Sequence, residues 1–118
     1  MNENYLGNPN LKRSNVNVEY TKDQIAEYIK CAKDPIHFIQ EYIQIVNVDK
    51  GLIPFKLYNF QNEMVSAFQS ERFVINKLPR QSGKSTTVTA YMLWLILFHD
   101  TQSIAILANK GSLARDLL

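Results

Sequence analysis

The nine residues from Leu78 to Thr86 constrain this chain more than any other stretch, because they read Leu-Pro-Arg-Gln-Ser-Gly-Lys-Ser-Thr. An apolar run precedes them from 73 to 78, and a longer apolar segment follows them from 86 to 98. Gly-Lys-Ser between a strand-like run and a helix-like run is typical of a phosphate-binding loop, whose backbone N–H groups surround the phosphates of a nucleotide. The first glycine of the full pattern is replaced here by Leu78.

Each residue type in this loop has a physical reason to be there if it binds phosphate. Gly83 lets the backbone approach the anion, and the helix that follows presents the positive end of its dipole to the same oxygens. Lys84 would reach the β- and γ-phosphates, and the Ser85 hydroxyl would hold Mg²⁺. The predicted phosphate-binding set is Arg80, Gln81, Ser82, Gly83, Lys84, Ser85 and Thr86. The alternative is an ordinary strand-to-helix turn with an exposed lysine.

Length and composition predict at most one globular domain. The chain has 118 residues, of which 46% are hydrophobic and 20% charged, as in ordinary globular proteins. Its net charge is only +2, but residues 51–118 carry 7 basic and 4 acidic side chains. This local excess favours anionic partners, although a solvated basic face would account for it equally well.

The cysteine and histidine content predicts neither a disulfide nor a metal centre. Cys31 is the single cysteine, and His37 and His99 lie far apart in the sequence. No Cys/His pair has the spacing of metal ligands, so both histidines are interpreted as structural. The first four residues, Met-Asn-Glu-Asn, do not resemble an export signal. We therefore expect an intracellular, reducing compartment.

The first half of the chain is predicted to be an irregular arm over residues 1–20 and a helical segment over 21–55. Thr21 and Gln24 form a capping box that begins the first helix. Asp34-Pro35 ends that helix and begins the second. Apolar residues fall on one face of each helix: Ile25, Tyr28, Ile29 and Ala32 in the first, and Ile36, Ile39, Tyr42 and Ile43 in the second. Such stripes usually pack in a core, and a groove for a partner is the alternative.

A turn or short hairpin is predicted over residues 47–54, with Asp49-Lys50-Gly51 at its bend. The rest, residues 56–118, is predicted to be the first part of a nucleotide-binding domain. It opens with Phe60-Gln61, an aromatic residue and an amide that could stack on adenine and hydrogen-bond its edge. The alternative places Phe60 in the core and Gln61 on the surface.

The predicted fold class is α/β, with two parallel strands over 73–78 and 103–108 joined by a helix over 84–98. From 91 to 98 every residue of this helix is apolar, so we expect protein to cover it on several sides. The run is too short to span a membrane. Two strands cannot provide that cover, so the chain is expected to be an incomplete, amino-terminal part of a larger domain.

In a complete ATPase site, a pair of carboxylates after an apolar strand completes the Mg²⁺ shell and polarises water. This sequence has no acidic pair in such a position. The candidates Asp49, Asp100 and Asp116 all lack the preceding strand. A complete hydrolytic site is therefore not expected in these residues.

Four stretches resemble the large terminase subunit of tailed bacteriophages, specifically the amino-terminal ATPase portion of the myovirus type. They are Tyr-Leu-Gly-Asn-Pro-Asn-Leu-Lys-Arg at 5–13, Leu-Tyr-Asn-Phe-Gln at 57–61, Arg-Gln-Ser-Gly-Lys-Ser-Thr at 80–86 and Ile-Leu-Ala-Asn-Lys-Gly-Ser at 106–112. The resemblance implies an ASCE-type P-loop ATPase with ATP and Mg²⁺ as ligands. It also implies a ribonuclease-H-like nuclease domain further along the intact protein, which this chain does not contain.

The resemblance also implies roles for single residues. Phe60 and Gln61 match the adenine-binding motif, and Arg80 matches an arginine that stabilises the γ-phosphate. The catalytic residues would be Lys84 and Arg80, with a salt bridge on the loop rim as the alternative for Arg80. Lys110 lies in a segment that faces DNA in related helicases, and a solvated loop lysine is the alternative.

The implied activity is ATP hydrolysis that drives double-stranded DNA into a capsid. The implied partners are the portal protein, the small terminase subunit and further copies in a ring on the portal, in the host cell cytoplasm and without a membrane. Two other interpretations stay open. A DNA or RNA helicase shares the aromatic-Gln motif and the Gly-Lys-Ser loop, and a truncated product could be a non-enzymatic interaction module.

Overall fold

The computed structural model describes residues 4–117. A short 3₁₀ turn over Tyr5–Gly7 lies in the exposed amino-terminal arm. The helices and strands that follow are α1 (Lys22–Lys33), α2 (Pro35–Tyr42), β1 (Gln44–Asn47), β2 (Gly51–Pro54), α3 (Asn59–Ser70), α4 (Lys84–Phe98) and α5 (Gly111–Asp116). The described chain is therefore mixed α and β, with five helices and one two-stranded sheet.

The two predicted helix starts are confirmed. The Thr21 hydroxyl accepts from the Gln24 N–H at 3.2 Å, and the Gln24 side chain accepts from the Thr21 N–H at 2.9 Å. Asp34 is the first residue after α1, and its carboxylate accepts from the N–H groups of Ile36 and His37 at 3.0 and 3.3 Å. Because one residue both ends α1 and caps α2, the angle between the two helices is fixed locally.

The predicted hairpin is also confirmed, although its first strand starts three residues earlier than expected. Strands β1 and β2 pair antiparallel, with Gln44 opposite Pro54 and Asn47 opposite Gly51. The Asn47 side chain accepts from the N–H groups of Asp49 and Lys50 at 2.9 and 3.1 Å. Gly51 takes φ 72°, a left-handed value that a residue with a Cβ adopts only at a cost.

The core lies where α2, α3 and α4 pack against one another. Its fully buried side chains include Ile39 of α2 and Val65 of α3, and the buried Trp94 of α4 belongs to the same cluster. The Trp94 indole N–H donates to the carbonyl of Cys31 at 2.8 Å. This bond ties α4 to the last turn of α1, where helix carbonyls have no partner within the helix.

The predicted parallel core is not formed among residues 4–117, so this expectation was wrong for the described chain. Residues 73–78 and 103–108 belong to no strand, and the only sheet in this part of the chain is the antiparallel hairpin. Phe73, Ile75 and Leu107 are almost fully exposed. A parallel strand needs neighbours that accept its backbone hydrogen bonds and layers that cover both faces, and neither is present in the described chain.

Two apolar faces are also less buried than the sequence predicted. Helix α4 buries Thr87, Ala90 and Trp94, while Leu93, Ile96 and Leu97 remain exposed. In α1 the residues of the predicted stripe, Ile25, Tyr28 and Ile29, are exposed, and Cys31 is the buried one. Both helices bury only the part of their surface that packs against the neighbouring helices of the core. No helix within residues 4–117 has the length and apolar character needed to cross a membrane.

Candidate functional site

The loop before α4 has the backbone shape of an anion-binding nest. Gln81 and Gly83 take left-handed φ values of 59° and 82°, and Ser82 lies between them. Gly83 is the N-cap residue, directly before the first residue of α4. Left-handed residues in such a turn bring successive N–H groups to one side, and the first N–H groups of the helix point the same way because no helical carbonyl precedes them.

Lys84 extends back across this loop. It is the first residue of α4, and its ammonium group donates to the carbonyl of Leu78 at 3.4 Å. The side chain is half-buried, and the bond is long, so the ammonium group is held near the nest by a weak contact. A phosphate oxygen placed in the nest would be a stronger, charge-assisted acceptor for it.

Like the Lys84 ammonium group, the Ser82 hydroxyl is a donor in this loop without a strong hydrogen-bond acceptor in the described chain. Its oxygen is buried and has no hydrogen-bond partner within residues 4–117. A buried hydroxyl without a partner is costly, so a site that leaves one unpaired fits a ligand that can accept from it. The donors of Ser82, Lys84 and the loop backbone therefore fit a phosphate group.

The first turn of α4 supplies a candidate ligand for Mg²⁺. Ser85 and Thr86 are both exposed there. The Ser85 carbonyl already accepts from the Thr89 hydroxyl at 2.8 Å, and Ser85 lines a cavity together with Lys84. The Ser85 hydroxyl is therefore placed where it could hold Mg²⁺ next to a bound phosphate.

Gln61 lies directly against the loop, although the sequence had indicated a place beside an adenine. The residue is 2% exposed, its side-chain oxygen accepts from the Tyr58 N–H at 2.8 Å, and its side-chain nitrogen lies 2.9 Å from the position of a Cβ on Gly83. The alternative of a surface Gln61 is therefore wrong. The amide nitrogen supports the loop before α4, while the amide oxygen caps the start of α3.

Phe60 is half-buried, and its ring stacks on Tyr58 with centroids 6.0 Å apart and an interplanar angle of 11°. Tyr58 is well exposed. The sequence pattern indicated only Phe60 as the base-stacking residue. Tyr58 was missed, although the two aromatic residues flank Asn59 and this arrangement could have indicated an aromatic pair. A flat, partly exposed aromatic pair is a suitable surface for a purine.

Two of the predicted charged residues, Arg80 in the loop and Lys110 before α5, are exposed. No carboxylate within residues 4–117 lies in salt-bridge distance of Arg80, so the rim salt bridge is not formed in this part of the chain. Lys110 precedes α5 and makes no hydrogen bond to the residues of the phosphate loop that the structure describes. Both cations are therefore available to an anionic ligand.

Two cavities open beside the loop. One, of about 310 Å³, is lined by Lys84 and Ser85 together with Asn76 and the apolar residues at 105–107. The other, of about 320 Å³, brings Ser85 and Thr86 together with Asp116. Asp116 had been set aside at the sequence level because no apolar strand precedes it. It shares a cavity with Ser85 because α5 lies beside the amino-terminal half of α4.

A second cluster was missed altogether. His37, interpreted from the sequence as structural, and Cys31, the single cysteine, both lie beside Glu27, and the three ligand atoms are within 4.8 Å of one another. Hydrogen bonds from His37 and Tyr42 lower the pKa of the Glu27 carboxyl, and burial raises the pKa of the Cys31 thiol. His99 instead packs its ring edge-on against Trp94, as a structural histidine would.

No protein-family model matches this chain. A function must therefore be inferred from the residues of the loop and their geometry.

Proposed function

We propose that this chain is the ATP-binding part of a viral terminase large subunit, a motor that hydrolyses ATP to package double-stranded DNA into a capsid. The observation that carries the proposal is the nest between Arg80 and Gly83, with the Lys84 ammonium group extended across it and Gln61 packed beneath it. The resemblance at residues 80–86 and 57–61 is the reason for proposing ATP as the nucleotide and a terminase as the motor.

In this proposal the chain contributes positioning and positive charge. Lys84 neutralises the transferring phosphoryl group, and Arg80, which is exposed and without a carboxylate partner in the described chain, is free to approach the γ-phosphate. Mg²⁺ bound through the Ser85 hydroxyl would bridge phosphate oxygens and offset their charge. Phe60 and Tyr58 offer their faces to the adenine, while Gln61 holds the loop in shape.

The remaining parts of the proposal concern the intact motor. Lys110 and the basic excess of residues 51–118 are suited to contact the DNA backbone. The expected partners are the portal protein, the small subunit and further copies in a ring, in the host cell cytoplasm. The nuclease activity would belong to a separate domain. Because the described residues place no carboxylate pair after a buried strand, we expect weak nucleotide binding and negligible turnover from these 118 residues alone.

The proposal is tested by calorimetric titration of the chain with ATP-γ-S in the presence of Mg²⁺. Lys84→Ala should weaken binding at least about tenfold, since it removes a charge-assisted contact. Lys50→Ala is the matched control, because Lys50 is an exposed lysine at the hairpin bend and should bind as the parent does.

Equal affinity in the parent and Lys84→Ala would contradict the phosphate site. The same titration on a version of the chain extended through the downstream carboxylates should give tighter binding, and no heat there would end the proposal. We expect that ATP hydrolysis needs an acidic group that these 118 residues lack. If the 118-residue protein hydrolyses ATP and Lys84→Ala abolishes this activity, that expectation is wrong.

A further inference from the structure

Glu27, Cys31 and His37 bring three kinds of metal ligand to one place, away from the phosphate loop. Glu27 and Cys31 are four residues apart on α1 and therefore share a face of that helix. His37 comes from the first turn of α2, which Asp34 fixes against the end of α1. A carboxylate, a thiol and an imidazole are thus presented by two helices whose relative position is set by a local cap.

We propose that these three side chains form a binding site for a zinc ion. All three ligand atoms lie within 4.8 Å of one another, and two of the separations are near those of a zinc centre. The His37 Nε2 lies 2.7 Å from the Glu27 Oε1, and the Cys31 Sγ lies 3.8 Å from the same oxygen. Tetrahedral zinc with ordinary bond lengths holds its ligand atoms about 3.3 to 3.6 Å apart. Small rotations of the side chains around an ion would therefore lengthen the distance from the Glu27 oxygen to His37 and shorten its distance to Cys31.

The ligand types select the metal. Thiolate and imidazole ligands favour zinc over Mg²⁺ and Ca²⁺, which prefer oxygen ligands in greater number. Binding takes the proton from the Cys31 thiol and releases it to solvent, and it uses His37 in its neutral form. With three protein ligands, the fourth position is left for water.

The surroundings provide both support and access. The Tyr42 hydroxyl donates to the Glu27 Oε1 at 3.0 Å and would orient the carboxylate from outside the ligand set. A cavity of about 460 Å³ opens next to the cluster, with Glu27, Cys31 and Tyr42 in its wall. An ion could therefore reach the buried sulfur from this side without unfolding the helix pair.

The test is a titration of the 118-residue protein with Zn²⁺ against a chromophoric chelator, followed by the same titration with Co²⁺. We expect one ion per chain and, with cobalt, a thiolate-to-metal charge-transfer band. Cys31→Ser should remove the band, and His37→Asn should weaken zinc binding at least about tenfold, the loss of one bound ligand. His99→Asn is the matched control and should bind as the parent does, because His99 is exposed and outside the cluster.

A measurement on the parent protein, the rate of Cys31 alkylation, tests the proposal even if a substitution disturbs folding. Because Cys31 is the only cysteine, its alkylation can be followed by mass alone. Zinc should slow that alkylation, whereas Mg²⁺ should not. A cobalt complex without the charge-transfer band, unchanged alkylation in zinc, or unaltered affinity in His37→Asn would each overturn the proposal and leave the cluster as a hydrogen-bonded contact between helices.

Discussion

The side-chain nitrogen of Gln61 lies 2.9 Å from the point where a Cβ on Gly83 would stand. Gln61 is in α3 and Gly83 is the N-cap residue of α4, so this contact joins α3 to the loop before α4. The glycine is required here for two independent reasons, its left-handed φ of 82° and the lack of space above its Cα. The loop is thus shaped by a residue 22 positions earlier in the chain as well as by its own sequence.

Gly83→Ala should destabilise the protein and weaken nucleotide binding. A left-handed non-glycine residue costs about 1–2 kcal/mol, and the added methyl group must also displace a buried amide. Thermal denaturation and the ATP-γ-S titration would measure the two effects. Gly111→Ala is the control, because a Cβ at Gly111 meets nothing within 4 Å and its φ is not left-handed. Equal stability of the two variants would contradict the strain at Gly83.

Gln61→Ala should lower the free energy of unfolding by about 1–3 kcal/mol, because it leaves the Tyr58 N–H without its acceptor and opens a gap beside Gly83. Urea denaturation is the measurement. Gln69→Ala, at an exposed position of the same helix, should change stability by less than about 0.5 kcal/mol. If Gln61→Ala also weakens ATP-γ-S binding while Gln69→Ala does not, the support of the loop by α3 is functional. Unchanged binding in Gln61→Ala would restrict Gln61 to a structural role.

Trp94→Phe tests the link between α4 and α1. The substitution keeps an aromatic ring but removes the indole N–H that the Cys31 carbonyl accepts in a buried setting. We expect a loss of about 1–3 kcal/mol from the unpaired carbonyl, measured by chemical denaturation. Tyr91→Phe is the matched aromatic control, since the Tyr91 hydroxyl makes no hydrogen bond within residues 4–117. A loss in Trp94→Phe no larger than that in Tyr91→Phe would contradict a stabilising role for this hydrogen bond.

Asp34→Ala should cost about 0.5–2 kcal/mol, as the loss of an N-cap does. It removes the acceptor of the Ile36 and His37 N–H groups and loosens the angle between α1 and α2. Circular dichroism during thermal melting would follow it. Asp49→Ala, an exposed aspartate in the hairpin bend, should leave the melting temperature nearly unchanged. A neutral Asp34→Ala would mean that core packing alone sets the helix pair.

Local features were predictable because their causes are local. The capping box at Thr21, the shared cap at Asp34 and the hairpin bend at Gly51 each depend on residues within four positions, and all three are confirmed. In the loop between Pro79 and Lys84, Gln81 and Gly83 take left-handed φ values, which glycine adopts at little steric cost. The strands at 73–78 and 103–108 are not formed in the described chain, because a strand exists only when another segment supplies its hydrogen bonds.

The sequence by itself determined where α1 and α2 begin and where the hairpin turns, since capping and turn preferences act over a few residues. Only the tertiary structure decided that Gln61 supports Gly83, that Asp116 shares a cavity with Ser85, and that Glu27, Cys31 and His37 meet. The physical reason is that these neighbours come from different elements, and packing across the core sets their distances, which no spacing in the sequence encodes.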